Sequence, residues 1–181
     1  MLPLDSPRWN SFRIYFDLPQ QVPQRLASWR DAIGGPDEDP LWTDLREQFL
    51  HQGTITDAAY AAIPYLVQEL DRLTPTKRFE YLVDVGLAES ARQTAGAPVL
   101  PPDLADAYHA AIVRARQLAL ECLSVEWSKV EFRYLLSIIA SLHGHGVMGD
   151  LLFSFDTIWE RCPSCGELVH IDELQKSGYA G

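Results

Sequence analysis

The sequence predicts an all-α protein, an antiparallel helical stack closed by a small C-terminal β-hairpin. Three observations predict it. Between Thr56 and Leu70, the residues Ala58, Ala61, Ala62, Tyr65, Leu66, Glu69 and Leu70 recur at three- and four-residue spacing, and their apolar members form one buried stripe on a helix. Pro64 lies inside that helix. An interior proline costs on the order of 3 kcal/mol unless packing accommodates a bend, which a curved helix in a stack can do. The second observation is an internal echo at an offset of 49: aligning 57–68 with 106–117 matches Asp57, Ala58, Ala61, Ala62, Ile63 and Gln68. Helical solenoid units of roughly 40 to 47 residues are close to this spacing. The third is CPSCG at 162–166 between the short apolar runs FDTIW and ELVHI. That is the pattern of a hairpin, with Gly166 able to take a positive φ.

Taken in order, residues 1 to 22 read as extended or irregular, punctuated by Pro3, Pro7 and Pro19, with FRIYF at 12–16 a strand or a core-docking arm. Pro23 suits the first turn of a helix that reaches about Ile33 and stops at Gly34 and Gly35. The loop GPDEDP at 35–40 leads to a helix from Leu41 to about Leu50, and the next begins near Thr56, with Thr56 or Asp57 as its cap. Thr74 caps a helix with Pro75 in its first turn, and Phe79, Leu82, Val83 and Leu87 carry it to about Gln93. Residues 94–102 read as a loop. Asp103 opens a long helix to about Leu123, and Ser124 caps another to about Leu142, ended by the His143–Gly146 segment. Residues 1–154 then form a helical domain with an irregular N-terminal arm. Residues 155–181 form a hairpin packed on it as one unit.

The segment HQGTITDAAYAAIP resembles the second helix of a repeat in bacterial HEAT-like proteins, where a phrase close to HQGT, two or three residues, AAYAAIP and an apolar run recurs. The matching residues span about 41 to 73 and include Leu41, Trp42, Leu45, His51, Gln52, Gly53, Thr54, Tyr60, Ala61, Ala62 and Pro64. The family also often closes with CPxCG, matched by Cys162, Pro163, Cys165 and Gly166. Several such proteins are associated with toxin-immunity gene pairs. The resemblance implies a HEAT-like binding scaffold with no active site of its own.

At 181 residues the chain can bury roughly 70% of its unfolded surface, enough for a core without staples. Its hydrophobic runs are too short to cross a membrane, and MLPLDSPRWN lacks the basic and apolar blocks of a secretory signal. Three cysteines, two of them in CxxC, do not describe a disulfide framework, so the cytoplasm is the expected compartment. A net charge of -10 argues against binding nucleic-acid phosphates. The charge clusters early: Asp31, Asp37, Glu38, Asp39, Asp44 and Glu47 stand against Arg46 alone. Such a patch steers a basic protein partner, and a basic toxin domain fits the resemblance; an ordinary acidic surface is the competing reading. Asp37, Glu38 and Asp39, on a loop bounded by Pro and Gly, are expected to be solvated.

CPSCG is the sharpest chemical motif. Two thiolates two residues apart on a tight turn supply half of a tetrahedral zinc site, and the same turn can exist reduced and metal-free. The other half could come from His143 and His145, with Cys122 and His170 as further candidates. A metal-dependent enzyme or metal-supported regulator built on Cys162, Cys165, His143 and His145 is therefore the alternative to a non-catalytic binding module. A thioredoxin-like pair needs a helix starting at the first cysteine, and the hairpin pattern opposes that. His51 is expected to satisfy backbone groups of its turn. No serine elbow, phosphate loop or HExxH occurs. The tryptophans at 9, 29, 42, 127 and 159 are expected to anchor packing.

Overall fold

The apolar periodicities read above become seven α-helices in a computed structural model that describes residues 1–36 and 38–154 and, as backbone, Trp159–Arg161 and Leu168–His170. They are α1 (Val22–Ala32), α2 (Glu38–Glu47), α3 (Ala58–Leu70), α4 (Pro75–Arg92), α5 (Pro102–Glu121), α6 (Lys129–Leu142) and α7 (Gly146–Phe153). Two small antiparallel sheets accompany them. β1 (Leu50–His51) pairs with β2 (Thr54–Ile55), and β3 (Trp159–Arg161) pairs with β4 (Leu168–His170), with Glu160 opposite Val169. The fold is mainly α with a small C-terminal β-hairpin, as the sequence predicts.

Helix α3 stacks on α5 and α4 on α6, so alternate helices share a layer and consecutive helices join the two layers. The central helix is α3, whose residues from Ala58 to Pro64 are all buried. Pro64 is therefore held by packing on every side. The cap of α3 departs from expectation. Asp57 stands at the cap position without a capping bond, because its Oδ1 accepts the Arg13 backbone N–H at 2.6 Å and so holds the arm instead. Thr74 does cap α4, accepting the N–H of Lys77.

The arm 1–21 is folded onto the stack without forming a strand. It contains two short 3-10 helices, Pro7–Ser11 and Pro19–Gln21, and it buries Trp9 and Phe12 edge to face at 5.5 Å. The Tyr65 hydroxyl donates to the Leu2 carbonyl, and the Tyr15 N–H to the Gln48 carbonyl at 3.1 Å. Trp29, Trp42 and Tyr81 pack together with ring centroids 5.2 to 5.6 Å apart. Trp127 lies on Phe79 at 4.6 Å, so four of the five tryptophans anchor packing as expected, and the side chain of Trp159 is outside the described residues.

Three boundaries correct the sequence reading. α2 begins at Glu38 and takes Pro40 into its first turn, where a missing N–H costs nothing. α6 is capped by Ser128, not Ser124: Ser128 Oγ accepts the Glu131 N–H at 3.2 Å while Glu131 returns the contact to the Ser128 N–H at 2.9 Å. The chain also continues past the His143–Gly146 segment into α7. A Cβ at Gly149 would lie 1.9 Å from Ser141 Oγ, so α7 reaches α6 because that residue lacks a side chain.

Candidate functional site

Trp42 and Leu45 turn inward from α2, which leaves Asp39, Pro40, Thr43, Asp44 and Glu47 on its outer side. The arm supplies the facing wall. Tyr15 and Asp17 both donate backbone N–H groups to Gln48, at 3.1 Å each, and this bring Phe16 and Asp17 alongside α2. The result is an open groove of about 720 Å³. Phe16 is 60% exposed on its rim, backed edge-on by the His51 ring at 4.9 Å.

Each cation beside the groove is shared. Arg25 bridges Asp17 at 2.8 Å and Asp44; Lys77 meets Asp39 at 2.8 Å, Glu80 at 2.7 Å and Glu38 at 3.9 Å. Arg46 lies 2.8 Å from Glu47 and 3.5 Å from Asp84. Seven carboxylates thus share three cations, and a surplus of negative charge remains around an apolar floor. Burial works against the Lys77 ammonium, but its hydrogen bonds to Asp39 and Glu80 outweigh it and hold the pKa above its ordinary value. Hydrogen bonds from His51 and then Arg46 hold the Glu47 carboxyl below the usual range. These groups stay ionised at neutral pH.

Of the five acids expected to bind a partner, Asp39, Asp44 and Glu47 line this groove. Asp37 lies outside the described residues. Glu38 is 2% exposed and corrects the expectation of a solvated loop: its carboxylate accepts the Tyr81 hydroxyl and the Gly34 N–H at 2.7 Å, closing the end of α1. Phe16 and Asp17 escaped the sequence reading. The only local hint was an arm with an apolar alternation, and what sets them here is a docking contact with a residue 31 positions away.

The HQGT segment forms the turn of a two-residue hairpin, with Gln52 at φ 47° and Gly53 at φ 73°. Both residues carry the positive φ that such turns require. His51 does not satisfy the turn. Its Nδ1 meets Glu47 Oε2 at 2.9 Å, and Thr54 Oγ1 serves the His51 carbonyl instead.

The proposed metal ligands divide. Cys162 and Cys165 lie outside the described residues, though β3 and β4 pair on either side of them. His143 and His145 are both exposed, at the junction of α6 and α7, and His143 Nδ1 bonds the Ile139 carbonyl at 2.9 Å. Cys122 is buried with its thiol on the Pro75 carbonyl, and burial pushes its pKa up, which disfavours the thiolate that binds metal. Among the described residues, no three His, Cys, Asp or Glu side chains are grouped so as to hold a metal ion. No helix among them is long and apolar enough to cross a membrane.

The groove is thus acidic, open and rimmed by one exposed aromatic ring. No protein-family model matches the chain, and no curated protein or solved structure matches it either.

Proposed function

We propose that the chain is a non-catalytic protein-binding module, an immunity protein that neutralises a basic bacterial toxin domain in the cytoplasm by covering it. The observation that carries this reading is the groove of Phe16, Asp17, Asp39, Asp44 and Glu47. Its mechanism is occlusion: the carboxylate surplus accelerates encounter with a basic surface, and the exposed phenyl ring supplies the apolar contact that slows release. The resemblance of the HQGT and AAYAAIP segment to HEAT-like immunity proteins supports the same reading. The product of a neighbouring gene, captured on the purified chain, supplies the partner. Replacing Asp17, Asp39 and Asp44 together with Asn should slow its association and flatten the salt dependence while costing up to about 1 kcal/mol of stability per exposed ion pair lost. Equal rates across a salt series would move the binding face elsewhere.

A metal-supported regulator is the second reading, favoured by the pairing of β3 with β4 around CPSCG. Purified chain should then carry about one zinc per chain or per dimer, and chelation should lower its thermal midpoint. Metal-free protein with a midpoint unchanged by Cys162→Ser would leave a bare hairpin.

A further inference from the structure

Glu47 lines a second cavity besides the acidic groove. This one, of about 310 Å³, lies between the HQGT turn, α4 and α7. The Asp84 side chain, only 7% exposed, contributes a carboxylate to it. One Asp84 oxygen accepts the Trp42 indole N–H at 2.7 Å. The other has Arg46 at 3.5 Å, the outer limit of a hydrogen bond, because the Arg46 guanidinium is drawn to Glu47 at 2.8 Å. Asp150, an exposed residue, adds a third carboxylate, His51 lines the cavity with its Nδ1 on Glu47 at 2.9 Å, and Leu87 and Phe153 add apolar wall.

Three carboxylates against one guanidinium and the His51 ring leave the cavity short of positive charge, and Asp84, the buried one of the three, calls for a fuller set of donors. The shape of the deficit selects the cation. An ammonium is compact and strongly hydrated, and it would give up its water on entering. A guanidinium is weakly hydrated, lies flat on apolar and aromatic walls, and presents a planar fork that can serve two carboxylates at once. We propose that this cavity is a guanidinium pocket that receives one arginine side chain of the basic partner, an assignment that rests on the protein-binding reading above. Glu47, common to both cavities, would join the pocket to the steering groove.

The test titrates the full chain with N-acetylarginine amide and, separately, with N-acetyllysine amide, following the Trp42 indole N–H resonance, which reports on Asp84 directly. The arginine probe should shift that resonance saturably and bind at least fivefold more tightly than the lysine probe. Asp84→Asn, which keeps an acceptor for Trp42, should weaken it at least tenfold, whereas Asp39→Asn with Asp44→Asn should leave it within twofold. If Asp84→Asn loses its native circular dichroism, Leu87→Trp, which fills the cavity, carries the same expectation. An unmoved indole signal, equal affinity for the two probes or undiminished binding in the pocket variant overturns the assignment. The two readings fail separately. A basic domain that associates while the arginine probe does not bind removes the pocket alone, and a probe that binds while no basic domain associates removes the partner.

Discussion

Asp84 and Glu89 lie five residues apart on α4, both are buried, and they meet opposite situations. Glu89 is saturated: Arg92 reaches both of its oxygens, at 2.6 and 2.8 Å, and the Tyr108 hydroxyl and Gln93 amide complete the set at 2.8 and 3.3 Å. Asp84 has one good donor, a distant guanidinium and a cavity. The five-residue offset turns Glu89 toward α5, where a tyrosine and a helical neighbour are available, and Asp84 toward α2, where Arg46 is divided between two acids. A buried carboxylate whose donors are all inside the fold is cement. One whose donors fall short, beside open volume, is where a ligand can complete the set.

The comparison breaks most visibly at Glu89. Glu89→Ala strands Arg92 and Tyr108, and the denaturation free energy should fall by about 3 kcal/mol or more, as for other buried pairs that lose one member. Tyr108→Phe removes one donor to a charged acceptor and should lower it by roughly 1.5 to 3 kcal/mol. Asp84→Asn should be the mildest, and its sign depends on pH. Burial pushes the Asp84 carboxyl above its ordinary value, against the pull of Trp42 and Arg46. The native state therefore holds that proton more tightly than the unfolded chain. Its stabilising contribution is full below the unfolded pKa near 3.8 and is lost as pH rises through the higher native value. Denaturation midpoints of the Asn variant should consequently gain on wild type between pH 4 and pH 7. A difference that stays constant, or that moves in favour of wild type as pH rises, would show that Asp84 is as well paired as Glu89.

Much of the helical plan was legible because its signals are local. Thr74 followed by Pro75, the Gly34 and Gly35 stop, and the spacing of Ala58 to Leu70 each act within a turn or two of chain. The errors were local signals of a weaker kind or contacts from far away. Ser128 with Glu131 spells out a reciprocal cap, a pattern that outranks the isolated Ser124. Asp57 left its helix end for Arg13, 44 residues distant, which no spacing announces. The site divided the same way. The acidity of 31–47 was readable as composition, but Glu38 and Asp39 are neighbours in sequence with opposite fates, one sealed against Tyr81 and one open to solvent.

The amino-acid sequence by itself determined that this chain is mainly helical, that a hairpin pairs on either side of CPSCG, and that negative charge gathers around α2. Periodicity, capping and composition act at short range and need no knowledge of the fold. Only the tertiary structure decided which carboxylates face water, that the arm brings Phe16 and Asp17 to the groove, and that Arg46 is shared between Glu47 and Asp84. Each of these depends on which distant groups arrive beside a side chain, because desolvation and pairing are set by neighbours in space.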